Sequence, residues 1–565
     1  MKKLNIPVGV SNFEEIRKTG SYYVDKTGLI EELLKTFSTQ VTLVTRPRRF
    51  GKTLGMSMLA SFFDIRKDSG ELFKGLKIAE NSKISREWMN RYPVIFLSLK
   101  DVDGLSFESA KDMLRMQIAS LYNEHFYLKQ SEQVNENDRE IFGQLANVVQ
   151  GRPTDAMLKV SLAVLMRMME MHYGKKVILL LDEYDVPLAK ASSHKYYNEM
   201  LEIIRAMMST ALKDNTSLQF AVITGCLRVS KESIFTGTNN FVSDTISDTR
   251  LNEYFGFTQK EVDRIMAEAK REDQLATVKS WYDGYHFGEF DIYCPWDVMN
   301  YVSRLQTDPN VRPASYWKNT SDNAIIRSFI DMKSDTITGK LEILMSGGYI
   351  NQKIEENLTY DYLNSSEDNL WSVLYLTGYL TRMRKSDLTE TEWIGLENSG
   401  KTALTIPNAE IREIFETTIQ KWFDDSARTW NRTGLFDAVW NGNSEKATQE
   451  MNRLLRLTIS YHDYREDFYH AFLAGIFTGA GYMVESNKEH GEGRSDVVVK
   501  DLRHGRVAVF ELKYTKIFDK LSEECDTALH QIDDRMYAKE FEDSFDEILC
   551  YGIAFYKKRC MVKKK

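Results

Sequence analysis

The sequence predicts an α/β fold with two chemical centres, one near each end of the chain. Residues 177–181 form a continuous apolar run, which is typical of a strand buried on both faces of a parallel sheet. Near the N-terminus a Gly-Lys-Thr sequence joins a strand-like segment to a helix-like one, and near the C-terminus two short apolar runs carry acidic residues and a lysine. At 565 residues the chain is long enough for several buried cores.

The first element is a β-rich run at residues 40–45, followed by a basic loop and a helical pattern over residues 54–65. The loop predicts a P-loop, in which backbone N–H groups and the helix N-terminus face phosphates, and its residues are Arg46, Pro47, Arg48, Arg49, Phe50, Gly51, Lys52 and Thr53. Lys52 would reach the β- and γ-phosphates of ATP, and the Thr53 hydroxyl would join Mg²⁺. Arg46 stands where the usual pattern has its first glycine. The alternative is a basic loop without a nucleotide.

The three loop arginines have two interpretations. A guanidinium beside the γ-phosphate can stabilise transferred charge. Arg46, Arg48 and Arg49 can equally pair with the acids at residues 182–185 or shape the loop, and we favour this second interpretation.

The second element is the apolar strand 177–181, which ends in Asp182, Glu183, Tyr184 and Asp185. This is a Walker B pattern, in which Asp182 would hold Mg²⁺ through water and Glu183 would polarise the attacking water. A buried strand that merely ends in solvated acids is the alternative. Both motifs occur in the right order at the carboxyl ends of strands, where ligands of open α/β sheets bind, so the sequence favours a nucleotide site.

Two further strands are predicted at residues 93–99 and 220–225. The later strand follows the acidic one, so Thr224 is a candidate sensor of the γ-phosphate and Arg228 a candidate second contact. Both residues could instead cap a strand and solvate a loop.

Residues 4–320 resemble a bacterial AAA-ATPase-like family that carries Arg-Pro-Arg-Arg-Phe-Gly-Lys-Thr in place of a standard P-loop. The resemblance also covers residues 22–27, 233–240 and 281–285, and it makes the missing glycine a family trait. It implies an AAA-like P-loop NTPase with a parallel-sheet core and a helical lid. The aromatic cluster at residues 281–287 could stack on bases, although a packed turn is the favoured interpretation.

The C-terminal centre combines Asp496, at the head of the apolar run 497–499, with Glu511 and Lys513, which close the run 507–510. A polar stretch between the runs predicts an antiparallel pair of strands that brings Asp496 beside Glu511. Glu511 and Lys513 are two residues apart and share a strand face. Two carboxylates suit Mg²⁺, and a lysine can orient or deprotonate water. The alternative is an ordinary hairpin with a charged outer face.

This region resembles the PD-(D/E)XK nuclease fold in the order of its elements. The order is a helix-like segment from Glu466, a strand at 482–485, the two strands described above and a helix containing Gln531. The resemblance implies that Asp496 and Glu511 bind Mg²⁺, with Mn²⁺ as an alternative, and that Lys513 serves the attacking water. It further implies that Glu466 is a helix-borne acid and that Gln531 supports the site. Glu485 is an additional candidate acid.

The predicted domains are an AAA-like ATPase core at 1–230, a helical lid at 231–345, a linker region of mixed structure at 346–460 and a nuclease-like α/β domain at 461–565. Within the linker region, residues 387–400 are expected to form a loop.

Composition limits the functional classes. A net charge of −8 argues against a surface uniformly covered with basic residues, but a local basic groove for nucleic acid remains compatible with it. The five cysteines form no CxxC pair, and no signal peptide or membrane span is visible, so we expect a cytoplasmic protein that does not bind membranes. The predicted function is an ATPase coupled to a metal-dependent nuclease that acts on nucleic acid, with DNA favoured over RNA. A homo-oligomer is compatible with the sequence. The alternatives are a non-catalytic nucleotide-dependent switch that binds nucleic acid or a protein, and an ATPase with a remnant nuclease.

Overall fold

The computed structural model describes residues 3–35, 39–147, 153–228, 241–317, 335–358, 366–418, 433–458, 466–478, 480–490, 493–557 and 559–565. The chain divides into two compact units, Met1–Phe415 and Glu416–Lys565. The boundary between them falls inside the segment 346–460. Among the described helices, none is both long and apolar enough to cross a membrane.

The first unit is built on a five-stranded sheet in which every pair of neighbours is parallel. Its strands are β1 (Val41–Thr45), β2 (Val94–Ser98), β3 (Val177–Asp182), β4 (Leu218–Gly225) and β5 (Phe241–Asp244). The strand order is β2-β3-β4-β1-β5, so β4 lies between the strand that enters the P-loop and the strand that ends in the acids. All four strands predicted in this unit are present.

Both faces of the sheet are covered, which explains the unbroken apolar runs. In β3, Val177, Leu179 and Leu181 pack into one core, whereas Ile178 and Leu180 pack into the other. Helices contribute to the first core from Phe107–Glu124, Glu136–Ala146, Asp155–Tyr173, Val186–Ser193 and Tyr197–Leu212. The second core receives Phe13–Lys18, Gly28–Leu34, Lys52–Phe63, Gly70–Phe73, Lys77–Glu80 and Ser82–Trp88.

The rest of the first unit combines helices with two small antiparallel sheets. The helices are Gln259–Glu268, Leu275–Tyr282, Pro295–Leu305, Asp335–Met345, Glu367–Leu376 and Glu390–Ser399, and residues 409–418 are also helical. One sheet contains β6 (Phe257–Thr258), β7 (Tyr285–Phe287) and β8 (Phe290–Tyr293), and the other contains β9 (Ile350–Gln352), β10 (Thr381–Arg382) and β11 (Thr402–Thr405). The expectation of a loop at 387–400 was wrong, because Thr389 caps a helix there through a reciprocal hydrogen bond with Glu392.

The second unit contains a five-stranded mixed sheet. Its strands follow the chain in spatial order and are β12 (Met483–His490), β13 (Gly493–Asp501), β14 (Arg506–Tyr514), β15 (Glu547–Tyr556) and β16 (Arg559–Lys564). The described helices are Thr433–Trp440, Ser444–Thr458, Glu466–Thr478 and Leu521–Asp534. The predicted hairpin is confirmed, because β13 and β14 are antiparallel with Val497 opposite Phe510. The helix Leu521–Asp534 connects β14 to β15, which are parallel and therefore need a crossover.

Candidate functional sites

At the first candidate site, the Asp182 carboxylate accepts two hydroxyl hydrogen bonds. Thr53 Oγ1 donates to Asp182 Oδ2 at 2.8 Å, and Thr224 Oγ1 donates to Asp182 Oδ1 at 2.6 Å. The strand order explains this arrangement, since β4 places Thr224 between the P-loop and the end of β3. Burial raises the pKa of Asp182, and the two hydroxyl hydrogen bonds oppose that rise. The structure thus brings together three of the residues singled out from the sequence.

Lys52 and Glu183 complete the polar centre. The buried Lys52 Nζ donates to the carbonyls of Arg46 and Pro47, each at 3.1 Å, and lies 3.5 Å from Glu183 Oε1. Glu183 has a left-handed backbone with φ of 53°. Such a conformation is strained for a residue with a side chain and is characteristic of functional sites.

Arg46 supports the loop from inside the unit. Its guanidinium is fully buried and donates to Asp244 Oδ1 at 2.5 Å and to Asn252 Oδ1 at 2.7 Å. Nη1 also donates to the carbonyls of Thr45 and Asp244. The favoured pairing with the acids at 182–185 was therefore wrong for Arg46, because its acid partner lies on β5. Loop shaping is the part of that expectation that the structure bears out.

Two further loop residues are packed in the same way. The buried Phe50 ring contacts Tyr285 and Phe287, with centroids 5.0 and 5.1 Å away. Pro47 faces Gly378, where an added Cβ would lie 3.1 Å from Pro47 Cβ on a backbone with φ of +89°. Tyr285 and Phe287 are buried, so the packed interpretation of the aromatic cluster holds for them and stacking on bases is excluded.

Arg48 and Arg49 differ from Arg46. Arg48 is exposed, whereas the Arg49 guanidinium lies over the Trp296 ring at 4.0 Å. Arg49 Nη1 is buried and has no hydrogen-bond partner among the described residues. Its backbone φ is 72°, so the loop turns through a left-handed residue just before Gly51. Arg49 therefore has donor capacity available for an anion.

A cavity of about 360 Å³ opens beside this loop. One side is lined by the P-loop and its acid: Arg49, Gly51, Lys52, Thr53 and Glu183. The other side is mostly apolar and aromatic and is lined by residues including Val8, Tyr22, Val24, Phe257, Trp296 and Met299. The cavity thus joins a cationic loop to an apolar wall.

Arg228 is half-buried, and its Nε has no hydrogen-bond partner among the described residues. The structure records no contact between Arg228 and Asp182 or Thr53, so its role stays a prediction. The family-like stretch 233–240 lies outside the described residues.

In the second unit, Asp496 and Glu511 are adjacent, as predicted. The Leu512 amide donates to Asp496 Oδ2 at 2.7 Å, and Lys513 Nζ donates to Glu511 Oε1 at 3.1 Å. Glu511 is only 1% exposed, and its Oε2 has no hydrogen-bond partner within the described residues. Burial, reinforced by the charge of Asp496, raises the pKa of Glu511 to about 7 against the opposing effect of Lys513.

This pair fits a hard cation. Two carboxylates and an unsatisfied buried oxygen are the donors that Mg²⁺ or Mn²⁺ accepts, and Mg²⁺ normally keeps several waters. Across the described side chains, no group of three or more histidines, cysteines, aspartates or glutamates is arranged to hold a metal ion.

His470 is a neighbour of this site that the sequence interpretation missed. It lies on the helix Glu466–Thr478, is 8% exposed, and its Nε2 is 3.5 Å from Asp496 Oδ1. Neither ring nitrogen has a hydrogen-bond partner among the described residues. The signal available in the sequence was its spacing, because a residue four positions after Glu466 lies on the same helix face.

For the other candidate acids and for Gln531, the structure records no contact with Asp496 or Glu511 among the described side chains. Glu466 begins its helix, and its side chain lies outside the described residues. Glu485 forms an ion pair with Lys500 at 3.0 Å. Gln531 is half-buried on the helix Leu521–Asp534, and the structure records no hydrogen bond from its side chain to Asp496, Glu511 or Lys513.

Comparison with known proteins agrees with both geometries. Residues 7–235 match the family model described as a predicted AAA-ATPase, and residues 464–565 match the model of the PD-(D/E)XK nuclease superfamily. Each of the two units thus contains a stretch that is similar to one of these families. A curated relative, an uncharacterized protein in the vnfD 5′ region of Azotobacter chroococcum mcd 1, is 24% identical over 569 residues, covering 98% of this chain and 97% of that protein. The similarity therefore extends along essentially the full length of both chains.

Proposed function

We propose that this protein binds and hydrolyses ATP in its first unit and cleaves nucleic acid in its second, with the nucleotide state controlling cleavage. The observation that carries the ATP part is the hydrogen-bonded series from Thr53 through Asp182 to Thr224. It aligns the hydroxyl of the P-loop, the acid of β3 and the candidate sensor on β4 at one edge of a parallel sheet.

At the ATP site, Lys52 would neutralise the β- and γ-phosphates, which replace its present loop-carbonyl and Glu183 contacts. Thr53 and Asp182 would hold Mg²⁺, which would supply positive charge to offset that of the phosphates. Glu183 would then orient the attacking water, and Thr224 would respond to the γ-phosphate through its bond to Asp182.

Arg49 would contact the phosphates, because it lines the cavity and has an unpartnered buried Nη1. The apolar wall formed by Val8, Tyr22 and Trp296 would take the base. Arg46, Pro47 and Phe50 would act indirectly by holding the loop, since their side chains are packed inside the unit. Side-chain packing then replaces the usual first glycine as the device that fixes the loop.

At the nuclease site, Asp496 and Glu511 would hold Mg²⁺ or Mn²⁺, which supplies Lewis-acid activation of the phosphodiester and of water. Lys513 is kept beside Glu511 by their ion pair and would orient or deprotonate that water. His470 lies against Asp496 and would help to fix its carboxylate. DNA is the favoured substrate.

A second candidate is a switch that binds ATP without hydrolysing it, and the placement of Glu183 favours considering it. Glu183 lies beside Lys52 at 3.5 Å, and if this ion pair persisted with ATP bound, the acid would not be available to water. The two proposals differ in whether bound ATP is hydrolysed.

The test is incubation of the full chain with ATP, Mg²⁺ or Mn²⁺, and single-stranded or duplex DNA or RNA. Phosphate release and strand cleavage are measured together, with Lys52→Ala and Asp496→Ala as matched variants. The proposal expects each variant to remove its own activity. Binding of ATP without phosphate release would support the switch, and absence of cleavage under all conditions would refute the nuclease assignment.

A further inference from the structure

An exposed aromatic side chain, that of Phe518, lies just beyond β14, the strand that carries Glu511 and Lys513. The segment 515–520 leaves β14 two residues after Lys513, and within it Ile517 is 53% and Phe518 is 45% exposed. The segment is nevertheless held in place. The Thr515 amide donates to the carbonyl of Phe555 at 2.9 Å, the Ile517 amide donates to Thr515 Oγ1 at 3.2 Å, and Phe518 begins a short 3₁₀ turn. The exposure of Phe518 therefore belongs to an ordered loop.

The position of Phe518 can be related to the site through the strand register. Lys513 lies opposite Ala554 on β15, and the Phe518 ring packs edge-on against Tyr556 with centroids 5.8 Å apart. Tyr556 is two residues beyond Ala554, which is about 7 Å along a strand. The contact made by Phe518 thus lies about two strand positions beyond Lys513.

The segment that carries the ring contains two lysines and one acid, and Glu523 and Glu524 follow in the first turn of the next helix. Lys516 and Lys520 are exposed, and no ion pair recorded between described residues uses either of them. The Arg559 guanidinium lies 5.3 Å from the centroid of the Phe518 ring. Asp519 is the acid within the same segment. An accessible aromatic face beside free cations is the combination by which proteins bind unpaired nucleic-acid strands.

We propose that Phe518 stacks on an unpaired base of the nucleic-acid substrate, while Lys516 and Lys520 bind its phosphates. This inference rests on the proposed nuclease function and deepens it by naming the substrate class: a single strand, or a duplex with a single-stranded end. Bases inside a duplex are already stacked on both faces and cannot accept the ring. An exposed leucine or isoleucine could not provide the same contact, because stacking needs a π-face.

The test measures binding without cleavage. Fluorescence anisotropy of a labelled 20-nucleotide oligothymidine is recorded with the full chain in EDTA, beside a blunt duplex of the same length. Phe518→Ala should weaken single-strand binding by about 5- to 150-fold, which is the effect of losing one base–aromatic stack. Phe518→Trp should bind like the parent, and Phe518→Leu should resemble Phe518→Ala. Duplex binding should change by less than about twofold.

Leu502→Ala is the matched control, because Leu502 is an exposed apolar residue in the turn at the opposite end of the β13–β14 hairpin. It should bind like the parent. Lys516→Ala and Lys520→Ala should each lower the salt dependence of single-strand binding by about one phosphate contact. Thermal melts check that each variant is folded.

Three results would overturn the inference. Unchanged single-strand binding by Phe518→Ala excludes stacking, and parent-like binding by Phe518→Leu identifies an apolar contact in its place. A parent chain that binds no oligonucleotide in EDTA also overturns the inference, whereas the proposed nuclease fails only if no cleavage occurs with Mg²⁺ or Mn²⁺. If Phe518→Ala binds normally while the parent still binds metal and cleaves, only the stacking inference fails.

Discussion

Replacing Glu511 with glutamine should stabilise the metal-free protein while abolishing metal binding. Glu511 is buried beside Asp496, and its pKa rises from an ordinary value of 4.5 to about 7. At about 1.36 kcal/mol per pH unit this difference has an upper bound of about 3 kcal/mol, and local relaxation reduces the expected gain to about 1–3 kcal/mol. The ionised Glu511 carboxylate destabilises the metal-free parent, but it is the form that binds a cation.

The pH dependence follows from the direction of the shift. A raised carboxyl pKa means that the folded state binds more protons than the unfolded state between pH 4.5 and about 7. The parent therefore loses stability relative to Glu511→Gln as the pH rises through this window. The variant should match the parent near pH 4.5 and show its full advantage at pH 8.

The assay is urea unfolding in EDTA across this pH range, with the exposed Glu547→Gln on β15 as a control that should not change stability. Mn²⁺ should reverse the order, because a ligand at about 1,000 times its Kd stabilises the parent by about 4.1 kcal/mol, which exceeds the advantage of the variant, and leaves the variant unaffected. If Glu511→Gln is less stable than the parent at pH 8 in EDTA, or if Mn²⁺ stabilises both equally, the interpretation of Glu511 as a buried metal ligand is wrong.

Three further predictions concern the residues around the two sites. Lys52→Ala should lower ATP affinity by about 10- to 150-fold in calorimetry, because a charge-assisted contact is lost. Glu183→Gln should bind ATP normally and hydrolyse it about 10²- to 10⁴-fold more slowly. Equal ATP affinity in Lys52→Ala and the parent would contradict the assignment of residues 46–53 as a P-loop. Asp496→Ala should lose Mn²⁺ binding and cleavage together, whereas Lys513→Ala should bind Mn²⁺ and cleave poorly. Parent-like Mn²⁺ binding by Asp496→Ala would refute the assignment of Asp496 as a metal ligand. Arg46→Ala should destabilise the first unit by about 3–5 kcal/mol in urea unfolding, because the buried Asp244 loses its close partner and keeps only a longer ion pair, 3.8 Å, with Arg250. A loss below about 1 kcal/mol would show that the Arg46–Asp244 pair does not hold the loop.

The sequence predicted well those strands in which an apolar run ends at a charged or polar residue that carries the chemistry. Apolar runs with a functional residue at the strand end, such as the run before Asp182, have one stable placement in an α/β sheet. The hairpin that joins Asp496 to Glu511 was predictable for a similar reason, since a short polar stretch separates its strands.

The parts that escaped prediction depend on contacts between distant residues. Arg46 finds its acid partner Asp244 almost 200 positions later, and no periodicity marks that pairing. His470 reaches Asp496 only because its helix packs over β13. The sequence placed Glu511 at the end of an apolar run but did not show that its side chain is buried, because strand position does not reveal what covers the strand. Burial then changes both its pKa and the expected effect of mutation.

We propose that both units are active and that the nucleotide state of the first controls cleavage by the second. The proposal is best tested by the cleavage rate of single-stranded DNA in Mg²⁺ or Mn²⁺, with and without ATP, for the parent, Lys52→Ala and Asp496→Ala. We expect that Asp496→Ala never cleaves, that ATP changes the rate of the parent, and that Lys52→Ala cleaves at a rate that ATP does not alter. Cleavage by Asp496→Ala at the parent rate, or the same response to ATP in Lys52→Ala and the parent, would contradict it.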